Sequence, residues 1–548
     1  MKQNNSLLKW LPVIAAVFFI SGMLAGGLLK RTTGFSSSTK KFATVMNLIE
    51  SEYVDKVNLD SLLEETLPEL LSNLDPHSFY IPSNKLQGIN EELEGSFAGV
   101  GIQFMINNDS ITVIEVISGG PSEKVGLMPG DRIVTIDGEK VAGTGITNED
   151  VLKKLRGDEG TRVSLGIKRA TSKKTLNFDV KRGIVPVSSI DASYMINDST
   201  GFIRVKRFVR TTYNEFIQSL IKLRAEGAKN YIIDLRGNTG GFMDIAILMA
   251  NEFLEPKSVI VAKKGRYKSN DEVYLSDGSG TFKDAGITVL IDEYSASSSE
   301  IFAGAIQDND RGLIIGRRSF GKGLIQRQAD LPDSSAVRLT IARYYTPSGR
   351  CIQKDYTDAV GYRNDIYQRY THGEAFTADS VKLNLSDQYT TAHGRTVYGG
   401  GGIMPDIYVP ADTSGITNYY INVVNAGLLQ RFAFEYCDMN RQSLTEAEDI
   451  EKILPSDDIL LRSFVNFAAQ NGIPARWYYI NISHDLIVNQ LKALIIRDIT
   501  GQNGYFRIIN RSDIGVKRAL DEISAGNTAF PILPEEGTTK IQINNEKR

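Results

Sequence analysis

The chain has 548 residues, which at roughly 100 to 200 per domain makes three or four domains with sizeable cores. Lysine plus arginine total 62 against 65 for aspartate plus glutamate, a net charge of −3, so the basic surface of a general nucleic-acid binder is missing and no nucleic-acid partner is expected. Apolar residues at 42% and charged residues at 23% speak against wholesale disorder and against a multi-span membrane protein.

The first element, within 1–31, is the uncharged run Leu11 to Leu29, flanked by Lys2 and Lys9 before it and Lys30 and Arg31 after it. At 1.5 Å per residue it is about 28 Å long, one hydrocarbon core, and it predicts a membrane anchor through one N-terminal helix. Ala25, Gly26 and Gly27 leave a cleaved signal peptide as the alternative. Over 41–94, apolar residues at helical spacing (Phe42, Met46, Leu48, Ile49, then Leu62, Leu67, Leu70, Leu71) predict amphipathic helices ending before Asp75-Pro76. This is read as a docking or dimerising segment, hence a possible homodimer.

From 95 to 183 the pattern becomes short β-branched runs (Gly101 to Met105, Ile111 to Ile117, Arg132 to Ile136, Val163 to Lys168) broken by one helix near Asn148 to Leu155. From 184 to 411 strands and helices alternate. Strands are predicted at Gly201 to Val205, Tyr231 to Asp234, Ile287 to Ile291 and Gly312 to Ile315, with helices after Tyr213, Phe242 and Ser298. Such alternation predicts an α/β multidomain protein whose catalytic sheet is mainly parallel and whose chemistry lies at strand carboxyl ends. From 412 to 525 the chain reads as helical, and the polar segment 526–548 is expected to be a disordered tail.

Two cysteines, Cys351 and Cys437, lack CxxC spacing, and the four histidines form no HExxH pair. A disulfide framework, a thiolate zinc site and a hydrolytic metal are therefore not expected, and no metal or other cofactor is invoked.

Three loops carry candidate chemistry. Ser295 to Ile301 (SASSSEI) follows an apolar strand and opens a helix, so a serine there sits on a turn beside free N–H groups. Ser297 with Glu300 also fits a purely structural capping box. Ser319 to Gln326 (SFGKGLIQ) sets Lys322 between two glycines. In apolar surroundings its amine would lose its proton near neutrality and act as a general base; the alternatives are a solvated lysine or a phosphate loop, and the latter lacks its motif. Asp234 to Gly241 (DLRGNTGG) can converge N–H groups on an oxyanion or a phosphate, although G-x-G-x-x-G is absent.

Together LRGNTGG (Leu235 to Gly241), SASSSEIFAGAIQD (Ser295 to Asp308), IGRRSFGKGLIQ (Ile315 to Gln326), LDPHS (Leu74 to Ser78) and GGGGIMPD (Gly399 to Asp406) resemble the C-terminal processing peptidases, PDZ-bearing serine proteases of the S41 family with a crotonase/ClpP-like core. The resemblance covers roughly residues 42 to 411 and implies Ser297 as nucleophile, Lys322 as general base and Gln326 as the residue positioning the lysine. It further implies the Ser298 N–H and one of Gly240 or Gly241 as oxyanion donors, with Glu300 and Asp308 as supporting acids near the site. Thr239 stands where proline is usual and Ser298 where alanine is usual, so a rival hydroxyl lies next to the nucleophile.

The domain at 95–183 resembles the family's PDZ module, with Gly99-Val100-Gly101-Ile102 matching its carboxylate-binding loop and Ser122 and Val125 standing where alanines are common. Arg156, at the end of the PDZ helix, is a candidate sensor linking tail binding to catalysis. His77 is read as a turn residue rather than a catalytic base. What the resemblance implies is a serine endopeptidase that binds exposed apolar C-terminal tails of protein substrates and cleaves near the C-terminus, tethered in a bacterial envelope with its catalytic body in the periplasm. The alternatives are a catalytically inert PDZ scaffold and a crotonase-like acyl-CoA enzyme.

Overall fold

The structure is a computed structural model that describes residues 37–107, 109–169, 172–381 and 385–527. The anchor expected at Leu11 to Leu29 and the tail beyond residue 527 lie outside the described residues. Among the described residues no helix is long and apolar enough to cross a membrane.

Two compact units divide the chain, Met1–Leu74 and Asp75–Arg548. The first holds helices α1 (Ser37–Glu52) and α2 (Leu59–Ser72). Asn58 starts α2, its side chain accepting the N–H groups of Asp60 at 3.0 Å and Ser61 at 3.2 Å. On α1, Phe42, Val45 and Leu48 are exposed at a spacing of three, which puts them on one face.

In the second unit the chain runs through β1 (Phe79–Ile81) and α3 (Ser83–Glu94) into β2 (Ser96–Gly99). The helical reading of 41–94 therefore needs correction. Residues 79–81 are a strand, because Tyr80 and Ile81 are buried in a sheet with a strand far along the chain. The next module contains β3 (Ile102–Asn107), β4 (Ser110–Val116), α4 (Pro121–Val125), β5 (Arg132–Ile136), β6 (Glu139–Lys140), α5 (Asn148–Leu155), β7 (Arg162–Lys168) and β8 (Leu176–Lys181). Its sheet order is β3-β4-β5-β7-β8, leaving β3 at an edge. A Thr147–Asp150 capping box starts α5, whose buried Val151 and Leu155 join Val100, Ile102 and Ile133 in the module's core. β2 pairs antiparallel with β9 (Gly183–Pro186), so the module enters and leaves through one short ribbon, as an insertion does.

The central sheet has the order β10-β11-β12-β15-β16-β21 and among the described residues has six strands: β10 (Ile190–Asn197), β11 (Thr200–Val205), β12 (Asn230–Asp234), β15 (Gly286–Ile291), β16 (Leu313–Gly316) and β21 (Ile407–Tyr408). Only the β10–β11 pair is antiparallel. Runs such as Ile287 to Ile291 are buried on both faces, which is why they read as unbroken apolar stretches. Helices α6 (Thr212–Ala225), α7 (Met243–Asn251) and α8 (Ser298–Asp308) cover one face, where Phe216, Phe253 and Phe302 meet edge to face. A second sheet joins β13 (Val259–Gly265), β14 (Glu272–Leu275), β17 (Leu324–Asp330) and β18 (Ala336–Tyr345) with β1, all antiparallel.

After α9 (Ala359–Thr371) and the hairpin β19 (Gln388–Thr390) and β20 (Thr396–Tyr398), the C-terminal part is helical: α10 (Asn418–Asn425), α11 (Leu428–Glu446), α12 (Ile450–Ile453), α13 (Asp457–Gln470), α14 (Trp477–Ile482), α15 (His484–Thr500), α16 (Gln502–Ile509) and α17 (Ile514–Ser524). Helices α10 to α16 share a core of their own around Phe432, Phe464 and Leu491. The last helix departs from the expected division at 412. Val516 and Ala519 of α17 pack on Phe202, Ile232 and Leu290, closing the second face of the central sheet, and Asp513 before it pairs with Arg236 at 2.8 Å.

Candidate active site

β12, β15 and β16 lie side by side, and each runs at its carboxyl end into one of the three candidate loops. The parallel sheet thus gathers segments more than 80 residues apart at one edge, as expected for this topology.

Ser297 has φ 55° and ψ −114°, a conformation that non-glycine residues avoid and that costs on the order of 1 to 3 kcal/mol. Its neighbours hold it there by spending their hydroxyls on the carbonyls of the glycine loop. Ser295 Oγ donates to Leu235 O at 2.8 Å, Ser299 Oγ to Asn238 O at 2.8 Å and Ser298 Oγ to Gly241 O at 2.9 Å. These three serines are buried, whereas Ser297 at the apex is partly exposed. The rival hydroxyl of Ser298 is therefore committed to a structural bond. Tyr344 fixes the apex from the second sheet, donating its hydroxyl to the Ser297 carbonyl at 3.1 Å.

The two candidate glycines are not equivalent. The Gly240 N–H donates to Asn238 Oδ1 at 2.9 Å, while among the described residues the N–H groups of Gly241 and Ser298 make no hydrogen bond. Gly240, at φ 97°, serves by having no side chain. A Cβ there would lie 2.8 Å from Ser297 Cβ and 3.0 Å from the Ser298 nitrogen.

Glu300 joins the serine turn to the lysine loop. Its buried carboxylate accepts the N–H groups of Ser297 (2.9 Å), Lys322 (2.9 Å) and Gly321 (2.7 Å) and the hydroxyl of Ser319. Burial moves its pKa up, against the pull of those four donors. The Glu300 arm of the expected capping box exists, but it also reaches across to the second loop.

Lys322 is held with its amine pKa below the usual lysine range, first by burial and then by the positive charge of Arg338, against the opposing pull of Glu300 and Asp75. Nζ donates to Gln326 Oε1 at 3.1 Å, and among the described residues no hydrogen bond joins it to Ser297 Oγ. Gln326 is in turn fixed by its Nε2, which donates to the His77 carbonyl. That carbonyl is presented by a turn in which Asp75 Oδ1 accepts the N–H groups of His77 (2.8 Å) and Ser78 (2.9 Å), and Ser78 Oγ accepts the Thr340 N–H at 3.0 Å. The His77 ring is bonded through Nε2 to the Tyr362 hydroxyl at 2.6 Å, and its pKa is pushed down to about 4, mainly by burial and then by Lys322. It is a neutral turn residue facing away from a base's role.

The structure brings Ser297, Ser298, Gly240, Gly241, Glu300, Lys322 and Gln326 together but not Asp308. Asp308 sits at the far end of α8, about 16 Å from Ser297 at 1.5 Å per residue, and pairs with Arg350 at 2.7 Å with neither side chain exposed. Its expected place beside the site is corrected accordingly: it anchors the loop carrying Arg350. Asn238, Tyr344 and the His77 carbonyl were not singled out by sequence. Asn238 and His77 lie inside recognised motifs, but Tyr344 sits in a strand with no local signal.

In the insertion module, the Val100 carbonyl accepts the Ser122 N–H at 2.9 Å and the Gly101 carbonyl accepts the Ile117 N–H at 3.0 Å. Because a trans peptide points its carbonyl and the following N–H in opposite directions, the N–H groups of Gly101 and Ile102 face outward beside the β3 edge. Gly101, at φ 81°, makes that turn, following Gly99 at the end of β2. Arg156 stacks on Phe97 at 4.7 Å and pairs with Glu91 of α3 at 3.3 Å; a Cβ on Gly99 would lie 3.8 Å from its Cα.

The model of peptidase family S41 matches residues 199–367, that of the PDZ domain matches residues 98–181, and a family of unknown function (DUF8443) matches residues 419–501. The carboxy-terminal-processing protease of Bartonella bacilliformis is 34% identical over 386 residues, covering 68% of this chain and 86% of that protein. A "Probable CtpA-like serine protease" of Staphylococcus aureus strain N315 is 31% identical over 352 residues, covering 64% and 68%. Among solved structures, the photosystem II D1 C-terminal processing protease aligns at 24% identity over 69% of this chain and 94% of that one, with a TM-score of 0.34. On the match to the Bartonella protein and the two domain models, the chain belongs to peptidase family S41, among its PDZ-bearing C-terminal processing members, and is a serine-type peptidase.

Proposed function

We propose that the protein is a Ser–Lys endopeptidase on a crotonase/ClpP-like core, which recognises the apolar C-terminal tails of other proteins through its PDZ domain and cleaves upstream of them. The observation that carries this reading is the part-buried Lys322 amine, held by Gln326 on a loop that shares the Glu300 carboxylate with the turn of Ser297. With substrate bound, Nζ turns from Gln326 to Ser297 Oγ and takes its proton as Oγ attacks the scissile carbonyl carbon. The oxyanion is received by the N–H of Ser298 and that of Gly241, the glycine whose donor is uncommitted. The intermediate collapses as Nζ gives its proton to the leaving amine nitrogen. Water then attacks the acyl-enzyme with Nζ again as base, releasing the acid and restoring Ser297.

The outward N–H groups of Gly101 and Ile102 suit a terminal carboxylate, and the free edge of β3 suits an added strand. Arg156, which touches both the module and α3, fits a residue reporting tail binding. The apolar run at Leu11 to Leu29 supports a body tethered in the bacterial envelope and facing the periplasm, and the exposed α1 face supports a homodimer.

The test is fluorophosphonate labelling of the full chain, with mapping of the label to Ser297, followed by cleavage of a tailed protein substrate. Ser297→Ala and Lys322→Ala should each abolish cleavage. Retained cleavage in Lys322→Ala would remove the dyad, and no cleavage by the parent chain would leave the scaffold reading.

A further inference from the structure

The helical module and the PDZ domain are in direct contact. Arg132 of β5 pairs with Asp438 of α11 at 2.8 Å, and a Cβ on Gly130 would come within 3.0 Å of Asp438 Oδ1. Beside that contact lies a cavity of about 490 Å³ whose walls come from both parts, with Gln103 and Met105 of β3 and Val116 of β4 on one side and Gln430, Phe434 and Arg497 on the other.

The strand β3 is the edge to which a tail would add, and its side chains alternate between the two faces of the sheet. Ile102, Phe104 and Ile106 turn into the PDZ core with Val151 and Leu155 of α5. Gln103 and Met105 face the opposite way, into the shared cavity. An added strand alternates in the same manner, so its C-terminal side chain points toward α5 while the penultimate residue, and the one two before it, point toward α11 and α15.

We propose that the helical module completes the tail-binding groove, supplying the pocket for those outward-facing tail residues and selecting apolar side chains there. The apolar part of the cavity is formed by Met105, Ile114, Val116, Pro129, Phe434 and Ile499, and Gln103 and Gln430 are exposed. The inference rests on the reading that β3 takes a C-terminal tail, and it gives the segment matching a family of unknown function a role in specificity.

The experiment measures fluorescence anisotropy of labelled peptides with the full-length Ser297→Ala protein, which binds without turnover. Peptides share one apolar C-terminal residue and carry Leu, Ala, Glu or Lys at the penultimate position and at the fourth from the end. Leu should bind about three- to tenfold tighter than Ala at these positions. Phe434→Ala should flatten that preference without altering the preference at the C-terminal residue. Because truncating a buried phenylalanine can loosen the module, the exposed Gln430 supplies a second variant. Gln430→Lys should favour the Glu peptides, and Gln430→Glu the Lys peptides, by roughly two- to fivefold. Unchanged selectivity in all three variants, with tail binding intact, overturns the proposal. Failure of the parent to distinguish free from amidated C-termini overturns the tail-binding reading itself and this inference with it.

Discussion

Ser297 and Lys322 donate their backbone N–H groups to the same oxygen, Oε2 of Glu300, each at 2.9 Å. One buried side chain thereby sets the distance between the backbone of the proposed nucleophile and that of the proposed base. In Glu300→Gln the amide replaces one carboxylate oxygen with a donor, leaving N–H groups at one position unpaired. Each orphaned buried group costs about 1 to 3 kcal/mol. Fluorophosphonate labelling of Ser297 should slow by at least about tenfold and the melting temperature should fall. Labelling at the parent rate would mean that the two loops are placed independently of this carboxylate.

Lys322 gives a pH dependence with a definite sign. Its folded pKa lies below the usual 10.5, so between those two values the unfolded chain binds more protons than the folded one. Stability from this group is lowest below the folded value and rises as pH climbs toward 10.5. Lys322→Met should therefore raise the melting temperature at neutral pH, with the gain shrinking as pH increases. Peptidase activity of the parent should rise along a limb whose midpoint lies under 10.5. Parallel melting curves for parent and variant across pH 6 to 10 would contradict the desolvated amine.

Much of this site was legible in sequence because its parts are local. The GKG and SASSSE loops each follow a strand whose apolar run is unmistakable, and parallel pairing then brings neighbouring strand ends together. What sequence could not supply is which donors are already committed. Gly240 and Gly241 are chemically identical in sequence, and it is the Asn238 Oδ1 contact that shows the Gly240 N–H to be committed. Asp308 looked like a site residue through its motif, although ten helical residues separate it from the turn. The strand at 79–81 was missed because three residues carry no periodicity, and α17 because an amphipathic helix does not say which sheet it covers.

Gly240 tests the close approach behind Ser297. In Gly240→Ala the methyl would meet Ser297 Cβ at 2.8 Å and lie 3.0 Å from the Ser298 nitrogen, at a φ of 97° that alanine resists. The added group blocks one of the two proposed oxyanion donors, and losing such a donor is worth about 10² to 10³ in turnover. A steady-state comparison should show kcat falling by that factor with KM changed far less. A variant with parental kcat would show that the Ser298 N–H takes no part.

Asp308 and Arg350 form a buried pair distant from the chemistry. Asp308→Ala leaves the guanidinium without its charge partner, for an expected loss of about 3 to 5 kcal/mol. Turnover per titrated active site should stay within about twofold of the parent at a temperature where the variant is folded. Urea unfolding and active-site titration separate the two effects. A large fall in turnover with little change in stability would return Asp308 to the site.

Ser122 stands where the family commonly has alanine, and its consequence is opposite in sign. Among the described residues its buried Oγ has no hydrogen-bond partner, while its N–H donates to the Val100 carbonyl at 2.9 Å. Ser122→Ala deletes the unsatisfied hydroxyl and keeps the N–H that holds the Val100 carbonyl of the proposed carboxylate-binding loop. The PDZ unfolding transition should therefore gain about 1 kcal/mol, while affinity for a C-terminal peptide stays within about twofold. A loss of stability would reveal a bound water serving the hydroxyl. A loss of affinity with stability intact would mean that the loop depends on the side chain rather than on the backbone bond.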